Sequence, residues 1–113
     1  MNKFLDKARK KLDSDEIILS YLECSILTFV YRRVYRPGII LATNKKLFFY
    51  GFDLGDVEFT EIFKYENISS IKVKKGVFKP SIVFYNDGET IKLSNIVSEN
   101  MDGFLEVLNE KIK

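Results

Sequence analysis

The sequence contains no histidine. Histidine supplies the general base of Ser–His and Cys–His nucleophile pairs and is a common ligand in zinc sites. Its absence excludes these classes of catalytic and metal centre. The sequence also has no P-loop, no G-x-G-x-x-G segment and no paired cysteine motif. We therefore expect no catalytic residue, no bound metal ion and no cofactor, and we interpret Asp53, Asp56 and Glu58 as a solvated turn and strand edge.

Cysteine is nearly absent as well. Cys24 is the one cysteine of the chain, so no intramolecular disulfide can form. A single thiol is most often a buried apolar residue, and the pattern fits a reducing compartment. The N-terminus has no apolar stretch of signal-peptide type, and the longest apolar runs of about five residues are far shorter than the ~20 needed to cross a bilayer. These absences predict a cytoplasmic protein, with peripheral attachment to a membrane as the alternative.

What the sequence does contain is typical of one small β-rich domain. Its 113 residues are enough for a single core without disulfides. Aromatic residues make up 14% of the chain, and Phe and Tyr favour half-buried strands. Lys and Arg concentrate in residues 1–12, 30–46 and 72–80, whereas Asp and Glu concentrate in residues 47–71. We expect separate surface patches of each sign, and such patches steer partners.

Residues 2–12 are predicted to form an amphipathic helix. Phe4, Leu5, Ala8 and Leu12 form a narrow apolar stripe, and the opposite face is rich in Lys and Arg. The stripe has two interpretations: it packs on the rest of the domain, or it lies on a membrane surface. In the second case the candidate membrane contacts are Lys3, Phe4, Lys7, Lys10 and Lys11.

Between this helix and the C-terminal segment, apolar and polar residues alternate as they do in strands. The segments predicted as strands are residues 16–31, 29–36, 39–43, 47–52, 57–63, 68–73, 79–85 and 89–93. They correspond to about seven antiparallel strands. Turns are predicted at Pro37-Gly38, Asn44-Lys45, 53–56, 74–76 and 86–88. The Asp87-Gly88 step is the strongest hairpin signal in the chain.

The C-terminal segment is predicted to be a helix that follows Ser98, a suitable N-cap. Its apolar residues recur along one face: Met101, Phe104, Leu105, Leu108 and Ile112. Such a face must be buried, so we expect the helix to cap the open end of a barrel or to cover a sheet face. The predicted fold class is mainly β, with a helix at each end.

This order of elements resembles the bacterial pleckstrin-homology-like (PH-like) domains, in particular the YokE-like PH group, which is akin to the GRAM domains. The residues that carry the resemblance are Gly38, Leu41, Thr43-Asn44-Lys45-Lys46-Leu47, Phe49, Ile68-Ser69-Ser70-Ile71, Lys75-Gly76 and the final helix. Members often have Arg at the position of Lys46. The resemblance implies a PH-like barrel of about seven antiparallel strands closed by the C-terminal helix, a binding role and no catalytic residues. We divide the chain into an N-terminal amphipathic basic helix, residues 1–14, and a PH-like domain, residues 15–113.

Residues 31–36 are the candidate site for a ligand or partner. Arg offers a planar donor fork for phosphate and Tyr offers a stacking face. The residues concerned are Tyr31, Arg32, Arg33, Tyr35 and Arg36. The resemblance implies that they lie at the first interstrand loop, where phosphoinositide-binding relatives hold the lipid headgroup. The alternative is an exposed β-ribbon whose charges prevent edge pairing.

The two loops that the resemblance puts beside this segment, 53–56 and 86–89, are acidic and disfavour a polyphosphate headgroup. The predicted function is therefore that of a non-catalytic PH-like binding module for protein–protein interaction or self-association. The alternative is peripheral binding to anionic membrane lipid through residues 31–36 and the N-terminal helix. Nucleic acid is disfavoured as a partner, because the sequence pI of about 8.6 is below the values typical of nucleic-acid-binding domains.

Overall fold

The computed structural model describes residues 3–29, 33–52, 57–74, 79–96 and 100–112. Its elements are α1 (Lys3–Arg9), β1 (Ile18–Phe29), β2 (Arg33–Thr43), β3 (Leu47–Phe52), β4 (Glu58–Phe63), a 3₁₀ turn (Tyr65–Asn67), β5 (Ile68–Lys74), β6 (Ser81–Asn86), β7 (Glu89–Ser94) and α2 (Met101–Lys111). The predicted fold class, mainly β with terminal helices, is confirmed. The predicted turn at 53–56 and the Lys75-Gly76 part of the next turn lie outside the described residues.

Seven antiparallel strands form one sheet in the order β4-β3-β2-β1-β7-β6-β5. β1 joins the two halves of this sheet. It pairs with β2 along its length, from Ile18 to Phe29, but with β7 only over residues 25–27. The β5–β7 half is therefore attached at one end of β1, which allows it to fold over the β1–β4 half.

The two halves enclose one hydrophobic core, to which all seven strands and α2 contribute buried residues. Phe63 of β4 meets Phe84 of β6 edge-on, with ring centroids 5.4 Å apart. β4 and β6 lie far apart in the strand order, so this contact requires the sheet to curl back on itself. The curled PH-like sheet expected from the sequence is confirmed.

α2 closes this core with the face predicted for it. Phe104 and Leu108 are fully buried. The other apolar residues of the predicted stripe pack against the same core: Met101, Leu105 and Ile112. Burial of this face is what stabilises a helix of eleven residues, because an isolated helix of that length is marginal in water.

The N-cap of α2 is Asn100, so the prediction of Ser98, which lies outside the described residues, is wrong. The Asn100 side chain makes no capping bond, and its Nδ2 atom donates to Ser20 Oγ of β1 at 3.0 Å. Gly103 leaves room for it, since a Cβ at that position would lie 2.5 Å from Asn100 Oδ1. A tertiary contact with β1 therefore determines where the helix begins. Prediction of an N-cap from the sequence uses only neighbouring residues and cannot detect such a contact.

β2 runs without interruption through Pro37-Gly38, where the sequence predicted a turn, so that prediction is wrong. Pro37 pairs with Ser25 of β1, and pairing with β3 begins one residue later, at Gly38 opposite Gly51. Pro37 therefore has a ladder partner in β1 but none among the described residues of β3, and a missing N–H is tolerated there.

Gly38 and Gly51 mark a close approach of two backbones. A Cβ on Gly51 would lie 2.2 Å from the Pro37 carbonyl oxygen, and a Cβ on Gly38 would lie 2.2 Å from the Tyr50 carbonyl oxygen. The ring of Phe49 lies against both glycines, within 2.8 Å of where either Cβ would be. Any larger residue at these positions would separate β2 from β3.

The two predicted turns that lie wholly within the described residues and join strands are confirmed. Asp87 and Gly88 connect β6 to β7 with φ values of 53° and 81°, the left-handed conformation that a two-residue type I′ turn requires at both positions. Asn44 and Lys45 form the bend between β2 and β3.

Gly51→Ala is expected to destabilise the domain by about 3 kcal/mol, because the added methyl group overlaps a backbone carbonyl oxygen that cannot move aside. Urea unfolding followed by circular dichroism measures this change. Gly88→Ala is the matched control: nothing lies within 4 Å of a Cβ there. Only the positive φ of Gly88 opposes that substitution, and we expect it to lower the free energy of unfolding by about 1 kcal/mol. Equal losses in the two variants would contradict the close approach.

Candidate interaction surface

The turn between β2 and β3 is bound to the segment that precedes β1. Thr43 Oγ1 accepts hydrogen bonds from the amides of Lys45 and Lys46, each at 3.1 Å, which closes the turn. The Ile17 amide donates to Asn44 Oδ1 at 2.7 Å, and the Asn44 amide donates to the Ile17 carbonyl oxygen at 3.0 Å. The run that carries the resemblance to PH-like domains thus holds two chain segments together.

Glu16 is the centre of this contact. Its side chain has no exposed surface (0%), and its carboxylate receives hydrogen bonds from Lys46 Nζ at 2.7 Å, Thr43 Oγ1 at 2.5 Å and the Asp13 amide at 3.2 Å. Burial by itself raises the pKa of Glu16, but the three hydrogen bonds outweigh it and bring the pKa below its ordinary value of 4.5. The ionised pair therefore stabilises the fold at neutral pH, and this contribution is lost as the pH falls through the pKa of Glu16.

The other lysine of the turn is paired as well. Lys45 Nζ lies 2.7 Å from Asp15 Oδ1 and 3.5 Å from Asp13 Oδ2. The hydrogen bond between Lys45 and Asp15 raises the pKa of the lysine and lowers the pKa of the aspartate. The basic run at positions 45–46 therefore presents little uncompensated charge to a ligand.

A groove of about 680 Å³ lies beside this turn. The turn forms one wall, and the ends of β4 and α2 form the others. Its lining includes Lys45, Lys46, Ile62, Lys64, Tyr65 and Lys111. Lys64 and Lys111 are exposed and make no ion pair with any residue that the structure describes. They supply positive charge to the groove, and the lining also contains two acidic residues, Asp13 and the exposed Glu66, which partly balance it.

Tyr65 connects the groove to the turn. Its hydroxyl donates a hydrogen bond to the Thr43 carbonyl oxygen at 2.6 Å. Burial raises the pKa of Tyr65, so the hydroxyl remains a protonated donor at any physiological pH. This bond fixes the segment after β4 against the turn and so fixes the position of Lys64.

β4 is an edge strand of the described sheet. It pairs with β3 from Glu58 to Phe63 and with no other described strand. Its register is continuous, and it contains no proline, glycine or bulge. The residues at 58, 60 and 62 point outward and are exposed. Ile62 is 56% exposed and Val57, just before the strand, is 61% exposed, so apolar surface accompanies an open row of backbone groups.

β5, at the other end of the strand order, is protected against pairing. Its register with β6 shifts between Ser69 and Ile71, and Ser70 has a φ of 54°. Such a bulge interrupts the row of N–H and C=O groups that another strand would need. Lys72 and Lys74 are also exposed along this strand. Of these two edges, β4 has the more regular row of backbone groups.

The structure describes the predicted ligand segment 31–36 only in part. Tyr31 and Arg32 lie outside the described residues, and Arg33 and Tyr35 are described as backbone positions of β2. Binding of a ligand by this segment therefore remains a prediction.

Arg36, the last residue of that segment, lies inside the curled end of the sheet. Its guanidinium carbon is 4.4 Å from the centre of the Phe59 ring, within cation–π range. Burial raises the pKa of Glu61, the nearby Glu89 raises it further, and Arg36 lowers it. The positive charge of Arg36 thus acts on the Glu61 carboxylate of the same domain.

α1 packs on the outer face of the sheet. Its apolar stripe therefore contacts the rest of the domain, which is the first of the two interpretations offered by the sequence. Ala8 is fully buried there. It belongs to a second apolar cluster with Ile39, Leu41, Phe48 and Tyr50. This cluster is separate from the main core, so α1 covers apolar surface that the curled sheet itself leaves open.

Three of the five candidate membrane contacts touch the sheet. The Phe4 and Phe52 ring centroids are 5.7 Å apart, and Lys7 Nζ lies 5.4 Å from the centre of the Phe52 ring. Lys11 Nζ lies 3.2 Å from Glu58 Oε1. The other two candidates are Lys10, which is exposed, and Lys3, whose side chain lies outside the described part. Contact of this helix with a membrane remains a prediction.

The one thiol lies in the core. Burial raises the pKa of Cys24 to about 12, so the thiol stays protonated, and the prediction of a buried apolar residue is confirmed. Within the described ranges, no group of three His, Cys, Asp or Glu side chains is placed to hold a metal ion. None of the described helices combines the length and the apolar character of a membrane span.

Sequence reasoning did not find the groove or the edge of β4. Ile62 falls on the same side of the strand alternation as Glu58 and Thr60, and an apolar residue on a polar face is a signal for an exposed contact. Lys64 and Lys111 offered no such signal, because they lie far apart in the sequence and only the fold brings them to one groove.

Comparison with known proteins identifies the architecture. The family model described as Bacterial PH domain matches residues 12–110. The chain is also similar to a solved structure described as the crystal structure of the C-terminal domain of an unknown protein from Leishmania infantum. The match has 21% sequence identity and a TM-score of 0.67, and it covers 96% of this chain and 95% of that chain. A likeness at this identity shows the fold alone. No curated protein matches the chain.

Lys46→Ala is expected to destabilise the domain by about 3 kcal/mol, because it leaves the buried Glu16 carboxylate without its cation. Lys46→Arg is the matched control and is expected to lose less than about 1 kcal/mol, since it keeps the charge and the donors. Urea unfolding at neutral pH measures both variants. A Lys46→Ala protein as stable as the Lys46→Arg protein would show that the pair does not hold the turn.

Proposed function

Because the chain belongs to the bacterial PH domain family, we propose that it acts as a non-catalytic binding module whose partner is a protein. The proposed contact is the edge of β4 with the adjacent groove. The observation that carries the proposal is a regular edge strand with an exposed Ile62, next to the charges of Lys64 and Lys111.

The physical basis is strand addition. An edge strand presents backbone N–H and C=O groups that an extended segment satisfies, and alternate side chains supply the specificity. Ile62 and Val57 favour apolar residues on the added segment. Lys64 and Lys111 favour acidic residues where that segment enters the groove. The expected partner is therefore an extended segment with interleaved apolar and acidic residues.

The alternative, anionic membrane lipid bound through residues 31–36 and the N-terminal helix, has less support. Arg36 lies near Glu61, and Lys11 pairs with Glu58. A free basic residue contributes about 1 kcal/mol of attraction to an anionic membrane surface. Cations that are already offset by carboxylates of the same domain contribute less than that.

Affinity capture from a lysate of the native host tests the proposed contact. The baits are the wild-type protein, Ile62→Lys and, as matched control, Val73→Lys at the β5 edge. Both substituted residues are exposed, at 56% and 43%, so both variants are expected to fold. Quantitative mass spectrometry is expected to find proteins retained by the wild type and the control but lost by Ile62→Lys, because a lysine on an edge strand opposes strand addition.

A captured protein supports the proposal only when, as a purified protein, it binds Ile62→Lys about tenfold or more weakly than it binds the wild type, a difference of about 1.4 kcal/mol. The same proteins captured equally by all three baits would overturn the assignment of the contact to β4.

Sedimentation with vesicles separates the protein and lipid alternatives. The wild-type protein is expected to stay in the supernatant with vesicles of phosphatidylcholine alone and with vesicles containing phosphatidylglycerol. Should it pellet with the acidic vesicles while Arg32→Glu/Arg33→Glu does not, the lipid alternative replaces the proposal. Arg36 is kept in this variant, because its contact with Phe59 would confuse a loss of binding with a loss of structure.

A further inference from the structure

We infer that the strand that adds to β4 is β4 of a second copy of this chain, paired antiparallel across a two-fold axis at Thr60. The inference rests on the proposed function, since it uses the same edge and names one occupant for it. It follows from the face alternation of β4, from its charges and from the contrast between the two edges of the sheet.

The alternation of β4 limits the possible registers. Directly opposed residues in an antiparallel pair lie on the same face of the sheet. A two-fold axis through one residue keeps outward residues opposite outward residues, so both copies keep their buried faces buried. With the axis at Thr60, Glu58 lies opposite Ile62 of the second copy, and Val57 lies opposite Phe63 of the second copy. Every position from 57 to 63 then has a partner.

Neighbouring registers are less favourable. An axis at Glu61 would oppose two half-buried carboxylates, and like charges directly opposite destabilise a strand pair. With an axis at Phe59, the pairs formed within the described part of the chain would be limited to residues 57–61. The axis at Thr60 opposes two exposed threonines, which form a favourable cross-strand pair.

The charges at the two ends of β4 favour antiparallel pairing with itself, whereas Glu61 of the two copies become diagonal neighbours and oppose it. The strand begins at Glu58, and Lys64 follows its last residue. In the register centred on Thr60, Glu58 of each copy is the diagonal neighbour of Lys64 of the other copy, on the same face and within reach of a long side chain. Glu58 already accepts hydrogen bonds from Lys11 and Tyr50, and a carboxylate has further acceptor sites for this lysine.

The other edge explains why such an assembly would stop at two copies. The bulge at Ser70 and the exposed lysines oppose pairing along β5. A two-fold axis places the β4 edge of each copy against the β4 edge of the other. Both edges are then occupied, so no further copy can add through β4. The expected product is a dimer rather than a fibre.

Disulfide trapping tests the register. Thr60→Cys brings two thiols together at the axis, so oxidised glutathione is expected to cross-link it about tenfold or more faster than Ser69→Cys, the matched control at the exposed β5 edge. Cys24 is buried and stays protonated, so it does not compete. Cross-linking of the two variants at equal rates would overturn the inferred register.

Light scattering coupled to size-exclusion chromatography tests the dimer itself. The wild type and the control Val73→Glu are expected to show the mass of two chains at high protein concentration, with unchanged circular dichroism spectra. Ile62→Glu is expected to show the mass of one chain, because in the inferred register the new carboxylate lies directly opposite Glu58 of the second copy. A wild-type protein that keeps the mass of one chain overturns the self-pairing.

The two proposals fail separately. In one outcome the wild-type protein has the mass of one chain, and Ile62→Lys still loses the captured proteins. This outcome overturns the dimer and leaves the proposed function in place. Retention of the dimer mass by Ile62→Glu, together with retention of the captured proteins by Ile62→Lys, overturns both proposals.

Discussion

The buried ion pair between Glu16 and Lys46 is the interaction on which the arrangement of the exposed surface depends. A carboxylate without exposed surface has to be met by a cation and by hydrogen-bond donors, because leaving it unpaired costs several kcal/mol, about 3–5 in buried pairs. Meeting that requirement fixes the β2–β3 turn against the segment before β1. The fixed turn forms one wall of the groove and presents the Thr43 carbonyl oxygen to Tyr65, which positions the end of β4.

Local compensation of charge explains why the segments rich in Lys and Arg do not all form equally positive surfaces. Lys45 pairs with Asp15, and Arg36 lies near Glu61 inside the curled end of the sheet. Counting charges along the chain therefore overstates the positive potential available to an anionic ligand. The unpaired charges of the described groove lining are those of Lys64, Lys111 and Glu66, and the segregation of charge in the sequence did not single out these two lysines.

The curled sheet also determines which of the described surfaces of the domain are left exposed. Curling buries one face of the sheet, α2 covers the opening, and α1 covers part of the outer face. Among the described strands, β4 keeps one side unpaired, and the proposed mode of binding uses the backbone hydrogen-bonding groups of that side and needs no reactive side chain. The bulge in β5 opposes strand pairing at the other edge, in the way that natural sheets limit unwanted edge pairing.

The elements and the fold class were determined by the sequence, because strand and helix periodicities depend only on residues close in the chain. Residues 47–52 were predicted as a strand with the bounds that β3 has, the Asp87-Gly88 hairpin was identified from its dipeptide, and the buried stripe of α2 was identified from its spacing. The resemblance to PH-like domains added how these elements pack.

The tertiary structure alone decided the rest. Pro37 is tolerated inside β2 because pairing with β3 begins only after it, and Asn100 precedes α2 because its side chain reaches Ser20. Whether a lysine is free or compensated depends on a carboxylate that is distant in the sequence, as Lys46 and Glu16 illustrate. Local patterns carry no information about such distances, so the open edge of β4 and its groove become visible only once the sheet has curled.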